Sequence, residues 1–263
     1  MFVLSNLGGG GAERVALLLA GELARRGHAI TLFVFKREGA LWNDLPANVR
    51  VRAVVSGGAT TWPHAREIWR ALTEEAREHD VVVGALEGWP TLFALGAARR
   101  AGKPCVGWIH ADYRDDLAFQ LRFLWVTRLL DRVVCVSAAA AAAIRGCEPR
   151  VIHNAVVAVA PTPRPHDPVP VVLAIGRLSR VKRFDLLIDA HARMLLPHRL
   201  AIVGDGAERA ALAALATRLG VEVEMPGYVA DLDPWYRRAD VVVSCSRSEG
   251  FSLVVAEALA RGV

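Results

Sequence analysis

The fold class follows from residues 241–257, VVVSCSRSEGFSLVVAE. The first five residues form a short, mostly apolar run, which is typical of a strand covered on both faces. From Leu253 onward the residues have helical character, and Ser252 before them is a residue type that favours the N-cap. A strand, a loop and a helix in this order are the repeating unit of α/β proteins with parallel sheets.

The same unit recurs along the chain. Helical spacing is clearest for residues 15–23, which Gly27 ends, and residues 184–194 and 207–219 are similar. Short apolar runs alternate with these segments, and most of them are continuous. Strands are therefore predicted at 2–5, 29–35, 49–55, 81–84, 105–109, 132–136, 171–175, 200–203, 221–224 and 241–245. The pattern predicts an α/β fold with mainly parallel sheets.

A proline-rich segment separates the two series of strands. Residues 160–170, APTPRPHDPVP, contain five prolines, which exclude both a helix and a central strand. We therefore predict an N-terminal domain over 1–160, a linker over 161–169 and a second domain over 170–263.

Composition excludes several classes of protein. The 263 residues are 53% hydrophobic and 22% charged, which excludes a fibrous or disordered chain. No apolar stretch reaches the length of a membrane span, so any membrane contact is predicted to be peripheral. The four cysteines have neither zinc nor CxxC spacing, which predicts free thiols. The net charge of +5 suits anionic ligands, an anionic membrane face or nucleic acid, and selects none of them.

Three loops carry candidate chemistry, each with a plainer alternative. Gly8–Gly11 follow the first strand, where glycines allow close approach of a ligand and a helix start attracts anions; the alternative is a flexible connection. Arg177 and Lys182 follow the strand at 171–175, where cations suit a diphosphate; the alternative is a solvated basic loop. Glu249 and Glu257 are separated by seven residues and would each bind a sugar diol.

The two glutamates also have ordinary explanations. Glu249 would serve as a capping carboxylate near a helix dipole, and Glu257 as a solvent-facing side chain. Two lesser features also end strands. The turn Gly204-Asp205-Gly206 would line a pocket, and His110 follows the strand at 105–109, at the edge where α/β sheets bind ligands.

Taken together, these motifs resemble the GT-B glycosyltransferases of family 4, the retaining glycosyl transferases group 1. The matching segments, in order, are GGGGAER at 8–14, VS at 136–137, IHNAV at 152–156, GRL with Lys182 at 176–182, VGDG at 203–206, PGYV at 226–229 and SEGFSLVVAE at 248–257. The last segment fits the family's E-x7-E motif and is the most specific.

The resemblance implies two Rossmann-like domains that face each other across a cleft. The second would bind a UDP-sugar or GDP-sugar donor, and the first a glycan or lipid-linked acceptor. Arg177 and Lys182 would neutralise the diphosphate, Glu257 would hold the ribose, and Glu249 would contact the transferred sugar or its phosphate. The resemblance also places His110 beside the sugar and assigns donor binding to Gly9, Gly10, Gly11, Gly176, Gly204, Gly206, Gly250, Phe251, Ser252 and Leu253.

The implied reaction is a retaining transfer that needs no metal ion and no cofactor, because fixed cations and helix N-termini stabilise the leaving diphosphate. Family members usually continue beyond the position of Val263, so we expect a C-terminally truncated chain with an incomplete second domain. Two alternatives remain: a binding protein or inactive fragment without turnover, and a GT-B nucleotide-sugar epimerase. We expect a cytoplasmic protein that does not bind nucleic acid. Residues 113–130 are a candidate for peripheral contact with the inner membrane face; the alternative is an amphipathic core helix with exposed arginines.

Overall fold

The computed structural model describes residues 1–111, 118, 125–157, 159 and 168–263. The chain divides into two compact units, Met1–Ala155 (unit 1) and Val156–Val263 (unit 2). Residues 161–167 of the predicted linker lie outside the described residues, as does most of the predicted membrane-contact segment 113–130. Those two expectations stay predictions.

Unit 1 contains a seven-stranded sheet in which all paired strands are parallel. The order is β3-β2-β1-β4-β5-β6-β7. The strands are β1 Phe2–Leu4, β2 Thr31–Lys36, β3 Arg50–Val55, β4 Val82–Gly84, β5 Cys105–Ile109, β6 Arg132–Cys135 and β7 Arg150–Val151. Central strands such as β1 are fully buried, in agreement with their continuous apolar sequences.

The helices of unit 1 are α1 Gly11–Arg25, α2 Ala65–Arg77, α3 Trp89–Ala101 and α4 Ala138–Ala142, and residues 125–129 are also helical. Helices α2 and α3 pack closely because Gly96 has no side chain; a Cβ there would lie 2.1 Å from the Trp69 ring. Ser137 caps α4, since its hydroxyl accepts a hydrogen bond from the Ala140 amide at 3.1 Å.

Unit 2 contains a four-stranded parallel sheet in the order β10-β9-β8-β11. The strands are β8 Val171–Ile175, β9 Arg199–Val203, β10 Glu224–Gly227 and β11 Val241–Val242, and the helices are α5 Phe184–Arg193, α6 Arg209–Leu219, α7 Asp233–Arg238 and α8 Leu253–Ala260. Alternate residues of β8 and β9 face opposite cores. Ala174 and Ile202 pack with α5 and α6, whereas Leu173 and Val203 pack with α7 and α8.

The predicted α/β class with parallel sheets is confirmed, two strand predictions need correction, and one strand was missed. Strand β10 begins at Glu224, because the Val221 amide instead bonds to the Ala216 carbonyl and completes the end of α6. Strand β11 ends at Val242, not at residue 245, and β7 was not predicted. Within the described ranges, no helix has both the length and the apolar character needed to cross a membrane.

Candidate functional site

Two loops at the carboxyl edge of the unit 2 sheet pack backbone against backbone. Loop 176–178 follows β8, and loop 204–206 follows β9. A Cβ on Gly204 would lie 2.0 Å from the Gly176 carbonyl oxygen, and one on Gly206 would lie 2.4 Å from the Leu178 carbonyl oxygen. The Leu178 amide donates to the Asp205 carbonyl at 2.9 Å. The glycines therefore hold the two loops together as one surface.

Lys182 and Glu249 meet at this edge although 67 residues separate them in the sequence. The Lys182 Nζ lies 2.5 Å from Glu249 Oε1, and the Ser246 hydroxyl donates to the same oxygen at 2.7 Å. Lys182 also lies over Gly176, where a Cβ would be 3.4 Å from Lys182 Cε. The pairing brings the predicted basic loop and the first glutamate of the E-x7-E segment into one cluster.

Backbone contacts fix the position of the Lys182 segment. The Arg247 amide donates to the Val181 carbonyl at 2.8 Å, and the Cys245 thiol donates to the Lys182 carbonyl at 3.1 Å. Burial raises the pKa of the Cys245 thiol, so it remains a protonated donor at neutral pH. Arg183 has a φ of 53°, which is a strained conformation for a side chain with a Cβ.

Arg177 and the start of α8 are at the same edge of the sheet. Arg177 is exposed, and it forms no ion pair with another described residue. Residues Gly250, Phe251 and Ser252 lead into α8, which begins at Leu253. Ser252 occupies the N-cap position as predicted, but its hydroxyl makes no capping hydrogen bond. The first-turn amides of α8 are therefore not capped by that side chain.

Glu257 is held from the side by α7. The Tyr236 hydroxyl donates to Glu257 Oε2 at 2.8 Å, and Tyr236 is only 1% exposed. Glu257 itself is half-buried, and its Oε2 contacts the buried phenol, so the side chain does not face solvent alone. The buried phenol fixes one carboxylate oxygen, which orients the group without neutralising it.

The glycine loop of unit 1 forms the start of α1. Gly9 has a φ of 96°, Gly10 is the N-cap residue, and Gly11 begins the helix. A Cβ on Gly10 would lie 2.4 Å from Glu13 Oε2, so this glycine leaves room for the carboxylate in the first turn. Helix α1 has 15 residues, and its N-terminus lies at the carboxyl edge of the unit 1 sheet.

His110 follows β5 at that edge and is held by Glu87, which follows β4. The backbone amides of His110 and Ala111 both donate to Glu87 Oε1, the latter at 2.7 Å. Burial lowers the pKa of His110 to about 4, against a smaller opposing effect of the Ala85 carbonyl. Burial also raises the pKa of Glu87, which the amide hydrogen bonds only partly oppose. The His110 ring packs at a tilt of 47° against Trp108, with 4.4 Å between ring centroids.

The predicted site residues thus fall into two groups. Unit 2 brings together Gly176, Lys182, Gly204, Gly206 and Glu249, with Arg177 and the start of α8 at the same edge. Unit 1 carries Gly9–Gly11 and His110. The described residues contain no group of three His, Cys, Asp or Glu side chains that could hold a metal ion, and metal independence stays a prediction.

Three supporting residues were missed in the sequence. Tyr236 orients Glu257, Ser246 binds Glu249, and the Cys245 thiol secures the Lys182 segment. Ser246 was detectable, because it stands three residues before Glu249 in the same loop. Tyr236 had no such signal, since its contact with Glu257 depends on how α7 and α8 pack on the sheet.

Known proteins resemble both parts of the chain. Residues 9–159 match the model of Glycosyltransferase Family 4, and residues 169–263 match that of Glycosyl transferases group 1. Over 114 residues the chain is 40% identical to D-inositol 3-phosphate glycosyltransferase 1 of Catenulispora acidiphila, covering 37% of this chain and 27% of that protein. Over 95 residues it is 40% identical to the lipopolysaccharide core biosynthesis glycosyltransferase LpsE of Rhizobium meliloti, covering 35% of this chain and 28% of that protein.

The matched segments span just over a quarter of the length of these relatives. Among solved structures, Anabaena HepE in complex with UDP and glucose superposes with a TM-score of 0.82 at 21% identity, covering 100% of this chain and 79% of that chain. This similarity confirms the predicted GT-B fold class. Because one family model matches more than half of the sequence, the chain belongs to Glycosyltransferase Family 4.

Proposed function

We propose that the chain is a retaining glycosyltransferase that moves a hexose from a nucleotide-diphosphate sugar to a glycan or lipid-linked acceptor. The proposal rests on the cluster of Lys182 and Glu249 beside the glycine loops of unit 2. Two further findings support it. The chain belongs to a glycosyltransferase family, and a protein of the same fold was solved with UDP and glucose.

Each side chain has a role in stabilising charge. Glycosyl transfer leaves negative charge on the diphosphate, and Arg177 and Lys182 would offset that charge. The first-turn amides of α8 would add hydrogen bonds to the same phosphates. Glu249 would keep the Lys182 ammonium in place and contact the sugar, while Glu257 would bind the ribose hydroxyls. In unit 1, Gly9–Gly11 would close over the phosphates, and His110 would lie beside the sugar.

The reaction needs no metal ion or cofactor in this proposal, because the fixed cations supply the positive charge. Retention of configuration would follow from attack of the acceptor on the face that the diphosphate leaves. We place the chain on the cytoplasmic side of the membrane, in peripheral contact with it. A reducing compartment fits its four free cysteines.

Calorimetric titration with UDP-glucose and GDP-mannose tests the donor site. Loss of a hydrogen bond to a charged group costs about 1.5–3 kcal/mol, so Arg177→Ala and Glu257→Ala should each weaken binding by about tenfold or more. The matched control is Arg180→Ala, which removes an arginine from the same loop whose side chain is 91% exposed. Equal binding by the wild type, Arg177→Ala and Glu257→Ala would show that the donor site is assigned wrongly.

Product analysis separates transfer from the two alternatives. Sugar transfer in the presence of EDTA supports the metal-independent transferase. Donor binding without any transfer supports a non-catalytic binding protein, and conversion of the donor sugar without an acceptor supports an epimerase.

A further inference from the structure

Two exposed tryptophans form a pair at the carboxyl edge of the unit 1 sheet. Trp62 begins the 3-10 helix Trp62–His64 after β3, and Trp89 begins α3 after β4. They are 60% and 53% exposed, and their ring centroids lie 4.4 Å apart at an interplanar angle of 87°. A single exposed apolar side chain is ordinary, but two indoles in mutual contact at a ligand-binding edge of a sheet indicate a binding surface.

The backbone that carries the pair is constrained by prolines. Each tryptophan precedes a proline in the first turn of its helix, Pro63 or Pro90, and proline fixes the local backbone. Gly88 has a φ of 80° and forms the turn between Glu87 and the exposed Trp89. Glu87 on the other side of this turn binds the His110 and Ala111 amides. A rigid aromatic surface loses little conformational entropy on binding.

A cluster of aromatic rings in tilted and edge-to-face contact connects the pair to the core. Phe93 lies 6.4 Å from Trp89 and 5.9 Å from Trp69, measured between ring centroids, and 5.2 Å from the buried Phe35. Trp69 in turn packs over Gly96 of α3. The exposed indoles therefore stand on a supported base, and their outer surfaces remain open to solvent.

The surroundings favour a sugar ring over a lipid surface. Among described residues 36–101, the other exposed large apolar side chains are Trp69 and Val81, and Val81 precedes β4 at the opposite edge of the sheet. A lipid surface would instead be met by aliphatic as well as aromatic side chains. His64 and Glu67 lie beside Trp62, 3.1 Å apart and partly exposed, and they offer polar groups to hydroxyls.

We propose that Trp62 and Trp89 form a stacking subsite for a pyranose ring of a glycan acceptor. This inference rests on the proposed glycosyltransferase function and selects a glycan as the acceptor class. The C–H face of a pyranose would pack on an indole, whose π-face carries partial negative charge. Its hydroxyl rim would reach His64 and Glu67. Trp89 is two residues from Glu87, so the subsite adjoins the loop that holds His110.

Saturation-transfer NMR on the full chain tests the subsite, with cellobiose, lactose and maltose as probes. We expect saturation of sugar C–H protons and about tenfold weaker binding by Trp62→Ala and by Trp89→Ala, as expected for loss of one aromatic contact and its buried area. Trp89→Phe should restore part of the affinity. The control is Trp125→Ala, which removes a tryptophan that is 68% exposed elsewhere in unit 1.

Three outcomes overturn the subsite: no saturation of any of the three sugars, equal binding by the wild type and both alanine variants, or an equal loss with Trp125→Ala. Co-sedimentation with phosphatidylglycerol and phosphatidylcholine vesicles that depends on Trp62, without disaccharide binding, also overturns it in favour of a lipid surface. UDP titration of the wild type and of the same variants separates failure of the stacking subsite from failure of the proposed glycosyltransferase function. A tryptophan variant that keeps UDP binding but loses disaccharide binding supports the subsite. A wild-type chain that binds a disaccharide but no UDP contradicts only the donor assignment.

Discussion

In unit 2, the ammonium of Lys182 lies 2.5 Å from the Glu249 carboxylate, and the two side chains are 23% and 27% exposed. In unit 1, the ring nitrogens of His110 are buried and Glu87 is half-buried, and burial is the largest cause of both pKa shifts. The first arrangement keeps opposite charges paired near solvent. The second disfavours the charged form of each group.

The difference matches two kinds of ligand chemistry. An ion pair with partial access to water can exchange one partner for a phosphate oxygen at modest cost in free energy. An imidazole with a pKa of about 4 is neutral near pH 7, so His110 is not a cation at that pH. The unit 2 cluster is therefore charged, whereas the His110 imidazole of unit 1 is neutral.

The largest effect is expected in unit 2 from Gly204→Ala. The new Cβ would lie 2.0 Å from the Gly176 carbonyl oxygen, and Gly204 has a φ of 140°. Steric overlap and backbone strain together should lower the free energy of unfolding by about 4 kcal/mol. Urea denaturation measures the loss. UDP binding should fall with it, because the loop that carries Gly204 separates from the loop that carries Gly176 and Lys182.

The control for this prediction is Gly220→Ala at the end of α6. Gly220 has a φ of 67°, and a Cβ there would have no atom within 4 Å, so only the left-handed backbone costs free energy, about 1 kcal/mol. Equal destabilisation by the two variants would contradict the importance of close packing between the two loops.

The fold was largely predictable because strand identity depends on local apolar runs. The run at 171–175 is β8 residue for residue, and the helix predicted at 253–260 is α8. Strand β10 was misplaced because Val221 and Val223 alternate with glutamates, and this alternation resembles a strand. Val221 and Val223 instead pack against the core before β10 begins, after the left-handed Gly220 has ended α6.

The candidate site was predictable only in part. Lys182 and Glu249 were identified from their loops, since the carboxyl ends of parallel strands share one edge of the sheet. Their direct contact was not predicted, nor was the support from Tyr236, because both depend on tertiary packing. The low pKa of His110 also had no sequence signal, since it results from burial among neighbours that are distant in the chain.

An intermediate effect is expected in unit 1 when the pH is lowered. The pKa of His110 falls from 6.5 in the unfolded chain to about 4 in the folded one, so the unfolded state binds more protons between these values. Stability should therefore fall as the pH drops through this window. At pH 4.5, His110 should account for about 2.5 kcal/mol of that loss. Urea denaturation at pH 7 and pH 4.5 measures it.

The variant for this test is His110→Asn, which should have a smaller stability difference between the two pH values than the wild type. The control is His28→Asn, which replaces an exposed histidine after α1. Other buried groups, including His79, are present in both proteins, so their contributions to the pH dependence of the free energy of unfolding cancel in the comparison. A wild-type pH dependence in His110→Asn would show that the imidazole is not kept neutral by burial.

The smallest effect is expected from Tyr236→Phe, which removes one hydroxyl behind the charged surface of unit 2. The hydroxyl donates to Glu257 Oε2 at 2.8 Å, and its loss should lower the free energy of unfolding by about 1 kcal/mol. The phenyl ring keeps its place in the core and its contact with the Arg261 guanidinium, 4.7 Å from the ring centroid. UDP affinity should fall a few-fold, because Glu257 loses its orientation.

The matched control is Tyr228→Phe, which removes a hydroxyl from a tyrosine that is 48% exposed in the same unit. If Tyr236→Phe weakens UDP binding and Tyr228→Phe does not, Glu257 depends on a buried partner to present its carboxylate to the ribose. If Tyr236→Phe loses stability but binds UDP as the wild type does, the phenol only fills the core, and Glu257 is oriented by its own helix.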